Sequence, residues 1–224
     1  MESIVICLGG SVILSDDISA SYFKNLTILL KKLSKKYKIF LIIGGGKTAR
    51  SYIKLGREIA LDENTLDKIG IEITRLNAKL IANIIGISNK YIPRTIDEAI
   101  KIKKPVVVMG GTTPGHSTDM VGAELAEKIN ASKYIIATNV DGVYDKDPNK
   151  FNDAVQLKEI SIKKLIEKYG TKWEKAGQNI VIDGPALEII NRANLTTFVL
   201  NGKKLDELEK AITNQIFNGT IIKK

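Results

Sequence analysis

Ile39-Phe40-Leu41-Ile42-Ile43 runs without a polar residue into Gly44-Gly45-Gly46-Lys47. Five apolar residues with no alternation describe a strand buried on both faces, and the glycines end it in a tight turn. The same grammar recurs where Ile4–Leu8 closes on Gly9-Gly10-Ser11 and where Pro105–Met109 closes on Gly110-Gly111-Thr112. Tyr134–Thr138 and Thr196–Leu200 read as further strands, Lys90–Pro93 and Thr220–Ile222 as short ones. Helices stand between them. Ser19–Lys36 carries Phe23, Leu26, Leu29, Leu30 and Leu33 on one face, Lys47–Ile59 follows the triple glycine, and Thr65–Ile85 carries the stripe Leu66, Ile69, Ile73, Leu76 and Leu80. A helix opening at Ser117 or Thr118 runs to about Ile129, and shorter ones cover Ile96–Ile102, Ser161–Tyr169, Pro185–Ala193 and Leu205–Ile212. Asn139–Asp153 reads as a structured loop, and Gly170–Gly184 is weakly patterned.

Buried strands alternating with amphipathic helices specify an α/β fold, a three-layer αβα sandwich around a mainly parallel sheet. With 224 residues and no repeat, Pro-rich linker or low-complexity tract, the expectation is one domain over residues 1–224.

Composition removes several classes of function. Hydrophobic residues at 44% and charged residues at 26% exclude a disordered chain. The sole cysteine, Cys7, excludes an intrachain disulfide, and the sole histidine, His116, excludes a His-rich metal site. No apolar run approaches the ~18 residues of a membrane span. Met1-Glu2-Ser3 lacks the basic start of a signal peptide, so a cytoplasmic setting is expected. The net charge of +9 lies mostly in the first half, notably at Lys31, Lys32, Lys35, Lys36 and Lys38; it reads first as a solvated helix face, and as a surplus it favours anionic partners. Aromatics make up only 6% and are not interleaved with the lysines, so small polyanions such as nucleotides fit better than nucleic acid.

In a parallel sheet, ligands bind outside the carboxyl ends of the strands. Glycines there let backbone N–H groups approach phosphate oxygens, so three glycine turns at strand ends point to a phosphate site. Gly46-Lys47-Thr48 ends like a P-loop, but Leu41 stands where its first glycine belongs. The dinucleotide fingerprint is absent after the first strand. His116 has no matching nucleophile and acid for a hydrolytic triad; it reads as a loop histidine or a phosphate-site donor. Cys7, inside an apolar strand, is expected to be buried and inert. Asp141, Asp145, Asp147 and Asp153 lack EF-hand spacing and read equally as a cation loop or a solvated one. Phosphoryl transfer suits this inventory, because it needs positioning and charge neutralisation more than covalent chemistry.

Four blocks carry a resemblance. They are Leu8-Gly9-Gly10-Ser11-Val12, Ile43-Gly44-Gly45-Gly46-Lys47-Thr48-Ala49-Arg50, the stretch 110–119 (GGTTPGHSTD) and the stretch 137–148 (ATNVDGVYDKDP). In this order and spacing they resemble the amino-acid-kinase superfamily, and more closely its uridylate (UMP) kinases of archaeal type. The resemblance implies ATP + UMP → ADP + UDP in pyrimidine nucleotide biosynthesis, with ATP as donor and Mg²⁺ as its cation, and a homohexamer built from dimers. It implies a first part that mainly binds UMP and a second that mainly binds ATP. Gly9, Gly10 and Ser11 would hold the donor phosphates, with Gly46 and Arg50 near the transferred group. Gly45 would contact UMP and Asp67 its ribose hydroxyls. Thr112, Thr113, Pro114, Gly115, His116, Ser117 and Thr118 would wrap UMP, and Thr138, Asn139, Tyr144 and Asp147 would line the ATP side. Arg50, Lys47 and Asp183 are the catalytic candidates; no protein ligand set for a metal is assigned.

The chain departs from the family pattern in three places. Many superfamily kinases carry Lys in the first strand where Cys7 stands, bacterial uridylate kinases tend to have Lys in place of Asn139, and the usual Asp-Pro-Leu-Ala reads Asp183-Gly184-Pro185-Ala186. Two other readings stay open on the sequence. One is a related kinase acting on isopentenyl phosphate, carbamate or an amino acid; the other is a nucleotide-binding protein without catalysis.

Overall fold

The apolar runs form the centre of a seven-stranded sheet in the spatial order β3 (Val106–Met109), β2 (Tyr37–Ile43), β1 (Glu2–Leu8), β4 (Lys133–Thr138), β8 (Thr197–Asn201), β9 (Gly219–Lys223) and β7 (Glu159–Ser161). The structure is a computed structural model and describes residues 1–13, 19–148, 150–172 and 182–224. Two further strands, β5 (Val143–Tyr144) and β6 (Gln156–Leu157), form a separate antiparallel pair. All pairings in the large sheet are parallel except β8 with β9. The α/β sandwich expected from the sequence is therefore observed.

Alternation sorts the strand side chains into two layers. Ile4, Ile6 and Leu8 pack with α2 (Ala20–Leu33), α4 (Glu63–Ile85) and α9 (Leu205–Ile212). Val5 and Cys7 face the opposite layer, with α5 (Ile96–Lys101), α6 (Thr118–Lys128), α7 (Ile162–Tyr169) and α8 (Gly184–Arg192). Register then fixes the site. Leu8 lies opposite both Ile43 and Ala137, and Met109 lies opposite Ile42. The strands end level, so the turns that follow them emerge along one sheet edge. From these turns start α1 (Gly10–Ile13) and α3 (Gly46–Glu58).

Several expectations need correction. Lys90–Pro93 forms no strand. The Asn89 side chain takes the edge of β3 instead, accepting from Val108 N–H (2.7 Å) and donating to Val108 C=O (2.9 Å). Leu76 and Leu80 were placed on the buried face of α4 but are 65% and 48% exposed. The helix turns Leu66, Ala78, Ile81, Ala82 and Ile85 to the core and Thr74 and Asn77 to the glycine turns, and helical spacing then leaves Leu76 and Leu80 on the outward side. The short helix α1 and the edge strand β7 were not foreseen, and part of the Asn139–Asp153 loop pairs as β5 with β6. Most of the weakly patterned stretch 170–184 lies outside the described residues.

Packing leaves no room for a side chain where α6 crosses β1 and β4. A Cβ on Gly122 would lie 2.2 Å from Cys7 Sγ and 3.0 Å from a Tyr134 ring carbon. Gly122→Ala is therefore expected to cost about 1–3 kcal/mol in urea unfolding. Removing the sulfur in Cys7→Ala/Gly122→Ala should return part of that loss. An undiminished loss in the double variant would show that the sulfur is not what the methyl meets.

Candidate active site

Backbone against backbone defines the floor of the site. A Cβ on Gly10 would stand 2.1 Å from Gly46 N, and one on Gly44 would stand 2.6 Å from Gly10 N. Gly46 has φ +66, which favours glycine in its own right. The first and second glycine turns thus touch, as no side chain would permit.

Above them α3 and α6 aim their N-termini into one open cleft, whose free space, solvent-filled mouth included, is about 700 Å³. Helix N-termini attract anions through unpaired N–H groups and the aligned dipole. The N-cap of α3 is Gly45, which offers no capping side chain, whereas Ser117 caps α6 by accepting from Met120 N–H at 2.9 Å. Of the residues expected at the acceptor, Gly45, Asp67, Thr113, His116, Ser117 and Thr118 line this single cleft, together with Gly46 and Arg50, which were expected near the transferred group. Gly115 joins them through its N–H, which donates to Asp67 Oδ2 at 2.5 Å.

Other expected residues stand apart from that cleft. Lys47 is exposed on the first turn of α3. Thr138 ends β4, Asn139 follows it and Tyr144 lies in β5; β4 flanks β1 on the side away from β2. Asp183 is buried and caps α8 by accepting from Ala186 N–H at 3.0 Å, and it also accepts from Ser117 Oγ. It therefore ties the starts of α6 and α8 together and reaches the cleft through Ser117. The acidic loop is occupied with its own partners: Asp141 pairs with Lys204 at 2.9 Å, Asp153 with Lys146 at 2.6 Å, and Asp145 accepts from Val155 N–H at 2.8 Å.

Sequence reading missed the residues that hold the turns in place. Asn77 donates to the carbonyls of Gly44 (2.9 Å) and Gly45 (3.3 Å). Thr74 accepts from Gly111 N–H at 2.7 Å, and Arg75 donates to the carbonyls of Gly111 and Thr112 at 3.2 and 3.1 Å. All three lie on α4, whose polar residues on an inward face were the available signal.

Behind the cleft lies Cys7, whose thiol is pushed up by burial and which contacts Tyr134 Oη (3.4 Å) and the Thr118 carbonyl (3.3 Å). It is buried, as expected. Close by, burial and the neighbouring Asp183 push the Asp119 carboxyl up to about 8. Burial raises Asp183 as well. The folded chain thus keeps a proton on Asp119 that an unfolded chain, with its carboxyl near 4, has released. Stability associated with this group is complete below about pH 4 and is lost as pH climbs towards 8. Asp119→Asn should therefore lose less stability than the parent between pH 5 and pH 8.5 in urea titrations; equal losses would remove Asp119 as the proton holder.

The chain matches the model of the amino acid kinase family over residues 2–201. It is 42% identical to a uridylate kinase of Methanobrevibacter smithii over 224 residues, 99% of each chain, and 42% identical to one of Methanocaldococcus jannaschii over 98% of each. The crystal structure of uridylate kinase from Archaeoglobus fulgidus superposes with a TM-score of 0.86 at 38% identity, covering 99% of this chain and all of that one. UMP kinase from Ureaplasma parvum shares the fold, with a TM-score of 0.79 at 24% identity over 100% of this chain and 99% of that one. Family model, whole-length relatives and fold agree with the glycine-turn site, and the chain belongs to the amino acid kinase family, among its uridylate kinases of archaeal type.

Proposed function

We propose that the chain transfers the γ-phosphoryl group of ATP in line to a phosphate oxygen of UMP, giving ADP and UDP for pyrimidine nucleotide synthesis. The observation that carries this reading is the cleft itself, where Asp67, Arg50 and the N-termini of α3 and α6 converge beside the contact between Gly10 and Gly46. A phosphate monoester is largely ionised near neutral pH, so the acceptor oxygen needs no general base. What the protein must supply is anion binding on both sides of the transfer.

On the acceptor side, Asp67 Oδ2 is taken by Gly115 N–H, and Oδ1 is left for a ribose hydroxyl. The Thr112–Thr118 loop closes over UMP, bringing Gly45 and Pro114 alongside the nucleotide and Thr118 to its phosphate. On the donor side, Gly9, Gly10 and Ser11 hold ATP phosphates, with Thr138, Asn139, Tyr144 and Asp147 around the rest of the molecule. Arg50 and Lys47 neutralise the transferred group, and Asp183 sets the α6 N-terminus through Ser117. Among the described residues no three His, Cys, Asp or Glu groups gather to hold a metal, so the residues form no cage for a resident ion. Mg²⁺ would arrive on the ATP phosphates, where it usually keeps several waters.

The described residues contain no helix long and apolar enough to cross a membrane. A cytoplasmic setting fits the lone thiol. Tyr52 and Leu55 on α3, and Leu76 and Leu80 on α4, are 48–65% exposed on two helices that pack together. These exposed apolar side chains support a homo-oligomer, and the family resemblance supports a hexamer of dimers.

ADP release from Mg²⁺-ATP should be strongest with UMP in a panel that includes CMP, dUMP, isopentenyl phosphate, carbamate and aspartate. Turnover with none of these, from protein that binds ATP, would replace the kinase reading with a binding protein. Arg50→Ala should lower kcat by about 10²-fold, as for other lost electrostatic stabilisers. Asp67→Asn should raise KM for UMP more than it lowers kcat, because a ribose contact is mostly uniform binding. An unchanged KM would move the ribose elsewhere.

A further inference from the structure

His116 has one ring nitrogen in an unusual position. Its Nδ1 is buried and meets no hydrogen-bond partner among the described residues. Glu124 Oε1 on α6 faces it at 3.5 Å, just beyond bonding range. A buried nitrogen left unpaired is costly, and a carboxylate at that distance is the group placed to satisfy it. The imidazole keeps 30% of its side-chain surface and lines the cleft with Arg50, Ser117 and Thr118. Because the Nδ1 edge is closed off, the edge open to the cleft is that of Nε2.

We propose that Glu124 is a positioning residue for the acceptor: it takes the Nδ1–H of His116 and holds the ring as an imidazolium whose Nε2–H donates to the phosphate of the bound nucleoside monophosphate. This rests on reading the cleft as the UMP site. The tautomer logic decides the charge state. A neutral ring that donates from Nδ1 has a bare Nε2 and cannot donate to phosphate, whereas the imidazolium donates from both nitrogens. The charged groups around the ring are Glu124 on α6, Asp183 at the head of α8, Asp67 on α4 and Arg50 on α3. Arg192 of α8 also acts on Glu124, but its guanidinium is committed to Glu127 at 2.7 and 3.0 Å. Carboxylates outnumber cations, and a phosphate would add further negative charge, so binding and ring protonation favour each other.

The test is the pH dependence of KM for UMP in the parent, Glu124→Gln and His116→Asn, with KM for ATP and thermal midpoints measured alongside. In the parent, KM for UMP is expected to rise on the alkaline side. Glu124→Gln should raise KM for UMP about 5- to 20-fold near pH 7.5, a typical range for a lost charge-assisted bond. It should shift the alkaline limb to lower pH, and kcat should fall by less than KM rises. His116→Asn should abolish the limb, and Glu124→Asp should restore part of the affinity. A Glu124→Gln profile that overlays the parent's overturns the proposal, as does an equal rise in the KM values for UMP and ATP, which marks a general loosening. If the parent itself does not turn over UMP, the reading of the cleft fails first and this inference falls with it.

Discussion

The site depends on a contact that involves no side chain. Gly10 and Gly46 meet backbone to backbone at distances that a methyl group on either would break. The contact exists because β1 and β2 pair in parallel with Leu8 opposite Ile43, so both turns leave the sheet at the same level. A slip of one residue would move Phe40 and Ile42 into the layer packed around Ile39, Leu41 and Ile43, where their shapes do not fit, so core packing and site geometry enforce the same register. The apolar core therefore determines where phosphate-binding N–H groups can stand.

Register alone leaves the turns free to rotate their peptides, and α4 removes that freedom. Asn77 takes the carbonyls of Gly44 and Gly45, Thr74 takes the N–H of Gly111, and Arg75 takes the carbonyls of Gly111 and Thr112. With Asp67 holding Gly115, this single helix grips the turns that follow β2 and β3. Its inward face combines Leu66, Ile81 and Ile85 for the core with polar residues for the turns, and it has no room left for Leu76 and Leu80. The exposed leucines follow from that division of labour.

This explains what could be read in advance. The central strands were legible because each is a short apolar run ended by glycine, and the cleft residues were legible because they follow those glycines directly. Asn89 illustrates what was not. Its side chain satisfies the β3 edge that a strand at Lys90–Pro93 was expected to occupy, and a backbone group and a side-chain amide look alike to a neighbouring strand. Asn77, Arg75 and Glu124 were missed for a related reason. Each acts on a residue more than 7 positions away or on another element, and nothing in local periodicity reports such a partner. β7 was missed because an edge strand of three residues carries too little pattern.

The remaining question is charge. Many superfamily kinases carry a lysine in the first strand, and here Cys7 is a buried thiol whose pKa is raised, facing Tyr134 and the Thr118 carbonyl. It brings no cation. A fixed negative charge on Asp119 would then sit unopposed beside the route of another anion, and a buried unpaired carboxylate is costly. A proton on Asp119 resolves both difficulties: it neutralises the carboxylate without a lysine and leaves the α6 N-terminus positive towards the cleft. If the cleft takes UMP as proposed, positive potential at the transfer point comes from the starts of α3 and α6 and from Arg50, which line that cleft together. In this chain the loss of one lysine is compatible with phosphoryl transfer because the charge balance is met by removing a negative charge and by using backbone dipoles.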